Sequence, residues 1–166
     1  MNLPDELAVP FELLRRELLA SGAQLSWRDK IKICMPQAIV RPPSTKEQIA
    51  AAEAQLGAVF PADLVEILLE MDGIDGLYSY PVCSVERIVH MNREYRSADY
   101  LTDCAPFDNL LFFGDTGNGD DFAFSISQTR APRAVLMRDH EEDSRDEYAS
   151  GLTEFLIRYS IEYYAL

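Results

Sequence analysis

From Pro43 to Gly73 the apolar residues recur every three or four positions, and the punctuation between them predicts two short amphipathic helices. Ser44 and Thr45 precede the first stripe, and a hydroxyl oxygen there accepts from the free N–H groups of a first turn. Glu47 stands three residues after Ser44 and Gln48 three after Thr45, so either pair suits a capping box. Ile49, Ala52, Glu53 and Leu56 then follow at the helical interval. Glu53 is the odd member, and a paired position at the edge of the face is the bland reading of it. Gly57 suits the left-handed residue that ends a helix, and Pro61 suits the first turn of the next. Leu64, Ile67, Leu68 and Met71 form the second stripe, which stops at Asp72-Gly73.

The same reading extends along the chain. Phe11–Ala20 has helical composition and ends at Ser21-Gly22. Ala23–Met35 alternates loosely around the sole tryptophan, Trp27, and reads as a strand or extended arm. Val40-Arg41-Pro42-Pro43 is a stiff connector. Ile74-Asp75-Gly76 reads as a turn and Leu77–Val82 as a short strand. Ser84 can cap a helix over Val85–Ser97, with Val85, Ile88, Val89, Asn92 and Tyr95 near one face. Ala98–Asp108 looks like a loop. Asn109–Phe113, Phe122–Ile126 and Arg133–Arg138 are strand candidates. Asp139–Glu147 is a charge run. Gly151–Tyr163 is a closing helix with Leu152, Phe155, Leu156, Tyr159 and Tyr163 on one face. Helices, then a hairpin-rich sheet, then a helix make an α+β fold with a mostly antiparallel sheet. The expected organisation is a helix and arm over residues 1–42 packed on a domain spanning 43–166.

Composition narrows the function. The chain has 166 residues, 48 % of them hydrophobic, which suits one domain with a real core. The net charge of −13 disfavours nucleic acid and anionic membrane surfaces and is compatible with a basic protein partner. No apolar run is long enough to span a bilayer, and the N-terminus lacks the pattern of a signal peptide. The expectation is a soluble, cytoplasmic protein. Cys34, Cys83 and Cys104 are an odd, scattered set, expected as reduced thiols and neither a disulfide framework nor a zinc site.

Candidate chemistry is sparse. Gly114–Asp121 (GDTGNGDD) links two strands. Gly117 and Gly119 occupy positions where a calcium loop needs acids, and Ile126 stands at its twelfth position. A phosphate loop would place a lysine where Asp120 and Asp121 stand. A carboxylate magnesium site on Asp115, Asp120 and Asp121 remains open beside a bulged hairpin whose aspartates cap their own backbone. His90 and His140, the only histidines, fall in no recognisable catalytic spacing. The charged segment with Glu141, Glu142, Asp143, Asp146 and Glu147 reads either as a docking face for Lys and Arg of a partner or as a solvated loop.

Three pieces in order carry a family resemblance. They are Ile49–Gly57 (IAAAEAQLG), then Phe60-Pro61 through Leu68-Leu69 to Asp72-Gly73, then Leu111–Asp115 with Gly119–Phe122. Together with Ser84–Tyr95 they resemble the SUKH superfamily, the Smi/Knr-type domain, over about Pro43–Ile126. Asp72 departs from that pattern, which more often has Asn there. The resemblance implies an α+β domain without general catalytic residues, not an enzyme and with no cofactor or metal. It implies a protein that binds other proteins, in bacteria largely immunity proteins that neutralise toxins, often nucleases. The partner expected is a cognate, basic toxin blocked by occlusion. Glu141, Glu142, Asp143, Asp146 and Glu147, with Asp115, Asp120 and Asp121, are the candidate contacts. An intracellular scaffold or regulatory interaction domain is the alternative, and a metal-dependent hydrolase a third reading.

Overall fold

The structure, a computed structural model, describes residues 12–14, 16–18, 20, 25–98 and 103–164. Residues 12–14, 16–18 and 20 are helical, in line with the Phe11–Ala20 composition; Phe11, Arg15 and Leu19 lie outside the described residues, as do 99–102 of the expected loop. The expected arm is instead a helix, α1, Trp27–Cys34. Ser26 caps it by accepting from Asp29 N–H. A second cap comes from far along the chain: the Glu70 carboxylate accepts from the Trp27 and Arg28 N–H groups at 3.1 and 3.0 Å. Those orphan donors thus find a negative charge, which the helix dipole also favours. Trp27, Ile31 and Cys34 fall on one face and are buried. Trp27 Nε1 donates to Glu66 at 3.0 Å.

Helices α2 (Lys46–Leu56) and α3 (Ala62–Glu70) follow the sequence pattern closely. The capping box is formed by Thr45 and Gln48, not Ser44 and Glu47. Ser44 is buried and donates its main-chain N–H to Leu68 O. Gly57 ends α2 at φ 62°, a left-handed conformation that glycine adopts without a Cβ penalty. Pro61 stands just before α3, one residue earlier than expected. Leu64, Ile67, Leu68 and Met71 are fully buried. Glu53 is paired: its carboxylate accepts from Arg130 at 2.7 and 3.0 Å and from Phe60 N–H at 2.7 Å, and so pins the α2–α3 turn to the far end of the sheet.

Two small strands, β1 (Ile39–Val40) and β2 (Ile74–Asp75), pair antiparallel. The expected turn at 74–76 therefore begins as a strand. The expected strand at Leu77–Val82 is a loop that touches β2 only through a bridge between Ile74 and Val82. Helix α4, Val85–Ser97, is capped by Ser84. The Asp72 carboxylate adds a bond from Val85 N–H at 2.7 Å, so this residue fastens the end of the α3 segment to the start of α4.

The main sheet is antiparallel in the order β3 (Leu110–Asp115), β4 (Asp121–Ser125), β5 (Val135–Arg138), β6 (Arg145–Ala149). The β3–β4 hairpin carries a bulge between Phe112 and Gly114. The charge run contains a strand that the pattern did not predict: β6 pairs Arg145 with Arg138 and Glu147 with Leu136. It is an edge strand, and exposed acids on an edge discourage pairing with another chain. Helix α5 (Leu152–Tyr159) continues as a π-helical turn, Ser160–Tyr164. Its Phe155 meets Phe113 and Phe122 edge-to-face at 5.4 and 4.8 Å, while Phe113 stacks on Phe124 at 4.5 Å. These rings form the densest part of one core. Cys34, Cys83 and Cys104 are free thiols.

A buried amide locks α4 to the sheet. Asn92 Nδ2 donates to Phe112 O and Ile88 O, each at 2.8 Å, and Oδ1 accepts from Phe112 N–H at 2.9 Å. The side chain occupies the outer edge of β3 as a neighbouring strand would.

Candidate functional site

Helix α4 and the Asp115–Asp121 hairpin turn form two walls of a cavity of about 490 Å³, which Tyr78 and Tyr80 also line. The α4 wall contributes Arg87, His90, Glu94 and Tyr95. Asp115 stands opposite. Its carboxylate accepts from Tyr80 N–H at 3.1 Å and from Arg87 at 3.3 Å. The Arg87 guanidinium lies over the Tyr80 ring at 4.0 Å. His90 and Glu94 face each other at 3.5 Å, one turn apart on the helix.

Asp121 forms the floor and is almost fully buried. It accepts from Tyr95 OH at 2.9 Å and from Arg138 at 3.3 Å. Burial pushes its carboxyl up to about 6, against the lowering influence of Tyr95 and Arg138. Burial and the adjacent Asp121 also push the Tyr95 phenol up. Arg138 is shared: its Nε donates to Asp143 at 2.9 Å, and Asp143 also accepts from Arg145 and from Ala105 N–H. Partial burial opposes ionisation of Asp143, but the bonds from Arg138 and Ala105 win and hold its carboxyl below the ordinary value. Asp143 has φ 53°, a conformation available to Asp in a tight turn. Asp121 and Asp143 are thus committed to an ion network, the first lining the groove and the second within the β5–β6 turn.

Asp120 points the other way. It accepts from His140 N–H at 3.1 Å and meets His140 Nδ1 at 2.7 Å. Desolvation opposes ionisation of Asp120, yet the His140 bonds lower its carboxyl; the same contact raises the His140 imidazole. Asp139 Oδ1 accepts from Glu141 and Glu142 N–H, which shapes the turn. Asp120, Asp139 and His140 could each offer one atom to a cation, with these atoms within 4.8 Å of one another. The Asp120–His140 pair already satisfies itself, and such a cluster is equally a hydrogen-bonded turn.

The sequence-predicted acids thus fall into one connected region with two environments. Asp115 and Asp121 line the groove. Asp120 reaches the β5–β6 turn, where a Cβ at Gly119 would stand 2.9 Å from the His140 ring. Glu141 and Glu142 are exposed on that turn, and Asp146 and Glu147 are exposed on β6. Sequence reasoning missed the groove itself, because Tyr78, Arg87, Glu94 and Tyr95 come from separate elements. The one available signal was Leu77-Tyr78, an apolar pair directly after a glycine turn.

Helices packed on an antiparallel sheet, with a Gly-Asp hairpin and an Asn-clamped α4, define an α+β domain of the Smi/Knr kind. Residues 43–158 match the SMI1 / KNR4 family (SUKH-1), and the chain belongs to that family. No curated protein matches the chain. Among the described residues no helix is long and apolar enough to cross a membrane.

Proposed function

We propose that this chain is an immunity-type binding module that neutralises a basic toxin protein, such as a nuclease, by covering its active surface. Membership of the SUKH-1 family supports this reading, since its bacterial members are largely immunity proteins. The observation that carries it to a basic partner is charge. The net charge is −13; exposed Glu141 and Glu142 stand on the β5–β6 turn and exposed Asp146 and Glu147 on the edge strand β6, and further carboxylates line the groove. A cleft built to hold a phosphodiester backbone is basic, and an acidic surface would meet it with complementary potential. Binding rather than turnover is the role this reading assigns, supported by the engagement of Asp115, Asp121 and Asp143 by Arg87, Arg138 and Arg145.

The test is co-purification from the native host with the tagged full chain. A stoichiometric basic protein that is toxic when expressed alone, and harmless when co-expressed with this chain, is the expected result. A stoichiometric partner without toxicity would favour a cellular regulatory role. Hydrolysis of a small substrate, lost in Asp120→Ala, would overturn the binding account.

A further inference from the structure

Tyr78 is 91 % exposed and Leu77 60 %, while every other described aromatic side chain is buried or half-buried. Exposed apolar side chains are common on mobile tips, but the main chain here is tightly held. Gly76 N–H donates to Ser79 O at 2.9 Å, and the Ser79 hydroxyl bonds the buried Tyr159 hydroxyl. Tyr80 exchanges two bonds with Asp115, one through its N–H at 3.1 Å and one through its carbonyl at 2.9 Å. Gly117 lies so close beneath that an added Cβ would stand 2.3 Å from Tyr78 O. The loop is therefore fastened at its base by a helix, a strand and the hairpin, and it presents Tyr78 in one place. An exposed tyrosine on a fixed main chain supplies contact area through only two side-chain torsions, a property of interface anchors.

What lies beside the anchor specifies its partner. Glu94, Asp115 and Asp121 line the groove; Arg87 engages Asp115, Arg138 engages Asp121, and exposed Glu94 faces the His90 imidazole at 3.5 Å. Arg87 itself shows which chemistry these walls hold, with its guanidinium flat on the Tyr80 ring and bonded to Asp115. Aromatic faces and carboxylates together favour a planar cation. We propose that the groove between α4 and the Tyr78 loop receives an arginine side chain of a protein partner, with Tyr78 packing on its aliphatic stem and Glu94 facing its head. This rests on the immunity reading above and moves the centre of the interface from the exposed acids of β6 to the groove, leaving Glu141, Glu142, Asp146 and Glu147 as a steering rim.

The experiment is an NMR titration of the isotopically labelled full chain with N-acetyl-argininamide, with N-acetyl-glutamine amide as the uncharged control. The expected result is saturable shifts of the backbone signals of Tyr78, Tyr80, Glu94, Asp115 and Gly119, absent with the control. Tyr78→Ala and Glu94→Gln, both at exposed positions, should each weaken the probe by about two- to fivefold, and Glu142→Gln should not. Shifts centred on Glu141–Glu147, shifts that never saturate, or an unchanged affinity in Tyr78→Ala would overturn the groove. A flat titration beside a stoichiometric toxin in the co-purification would remove the groove and leave the immunity role standing. A saturable groove with no basic partner would do the opposite.

Discussion

Asn92→Leu isolates the bond network that sets the groove's position. The asparagine is fully buried and makes three bonds, two of them to the main chain of Phe112 on the outer edge of β3. Leucine keeps the branching at Cγ, with bulkier methyl groups in place of the amide, and is a better helix former. Ile88 O keeps its place in the helical ladder, so the loss falls on Phe112 N–H and C=O, now buried without partners. Each such group costs about 1–3 kcal/mol, and the added apolar contact returns about 1 kcal/mol. The net loss is about 1–5 kcal/mol, a large share of the roughly 5–15 kcal/mol that stabilises a domain. For a chain of this size the melting temperature should fall by about 2–20 °C. Urea denaturation followed by circular dichroism measures the loss, and hydrogen exchange at Phe112 locates it. Because α4 also carries Arg87, Glu94 and Tyr95, their signals should shift in the folded variant. A variant within about 0.5 kcal/mol of the parent would show that the amide is not what clamps α4 to the sheet.

Two further outcomes follow from the same contacts. The Asp121 carboxyl is raised to about 6 from 3.8, so the folded state holds a proton through that window that the unfolded chain releases, and stability falls as pH rises across it. Asp121→Asn should flatten the fall by about 3 kcal/mol; Asp63, raised by burial, keeps a residual slope of the same sign, and the lowered Asp120 and Asp143 give a slope of opposite sign confined to the acid side, near and below 3.8. Equal slopes in urea midpoints of the two proteins would contradict this. Glu70→Ala removes the carboxylate that caps α1 and should cost about 1–2 kcal/mol, with a red shift of Trp27 emission as the helix start loosens. Unchanged emission would mean that Ser26 alone fixes α1.

The elements that local chemistry marks were legible in the sequence. Thr45, Gln48 and Gly57 delimit α2, Ser84 delimits α4, and the Gly-rich turn separates β3 from β4, because each signal acts within a few residues. The misread elements depend on distant partners. The start of α1 is held by Glu70, 43 residues away in sequence from Trp27. Strand β6 is polar at Arg145, Asp146 and Glu147 because its edge faces solvent, so it shows no apolar alternation. Leu77–Val82 has strand composition, but its main chain is spent on Asp115, Gly76 and Ile74. Of the candidate site, the acids were visible and their company was not. Nothing local distinguishes exposed Glu142 from Asp143, which lies under two arginines. The groove is a product of topology, since β3 brings the hairpin turn up to a helix that ends thirteen residues before it.

If negative potential guides a basic partner to this chain, association with the co-purifying protein should depend on ionic strength, which stopped-flow mixing measures. The expected rate falls steeply with salt, and drops about tenfold or more at low salt when Glu141, Glu142, Asp146 and Glu147 are reversed to lysine. A rate indifferent to both salt and charge reversal would refute electrostatic guidance.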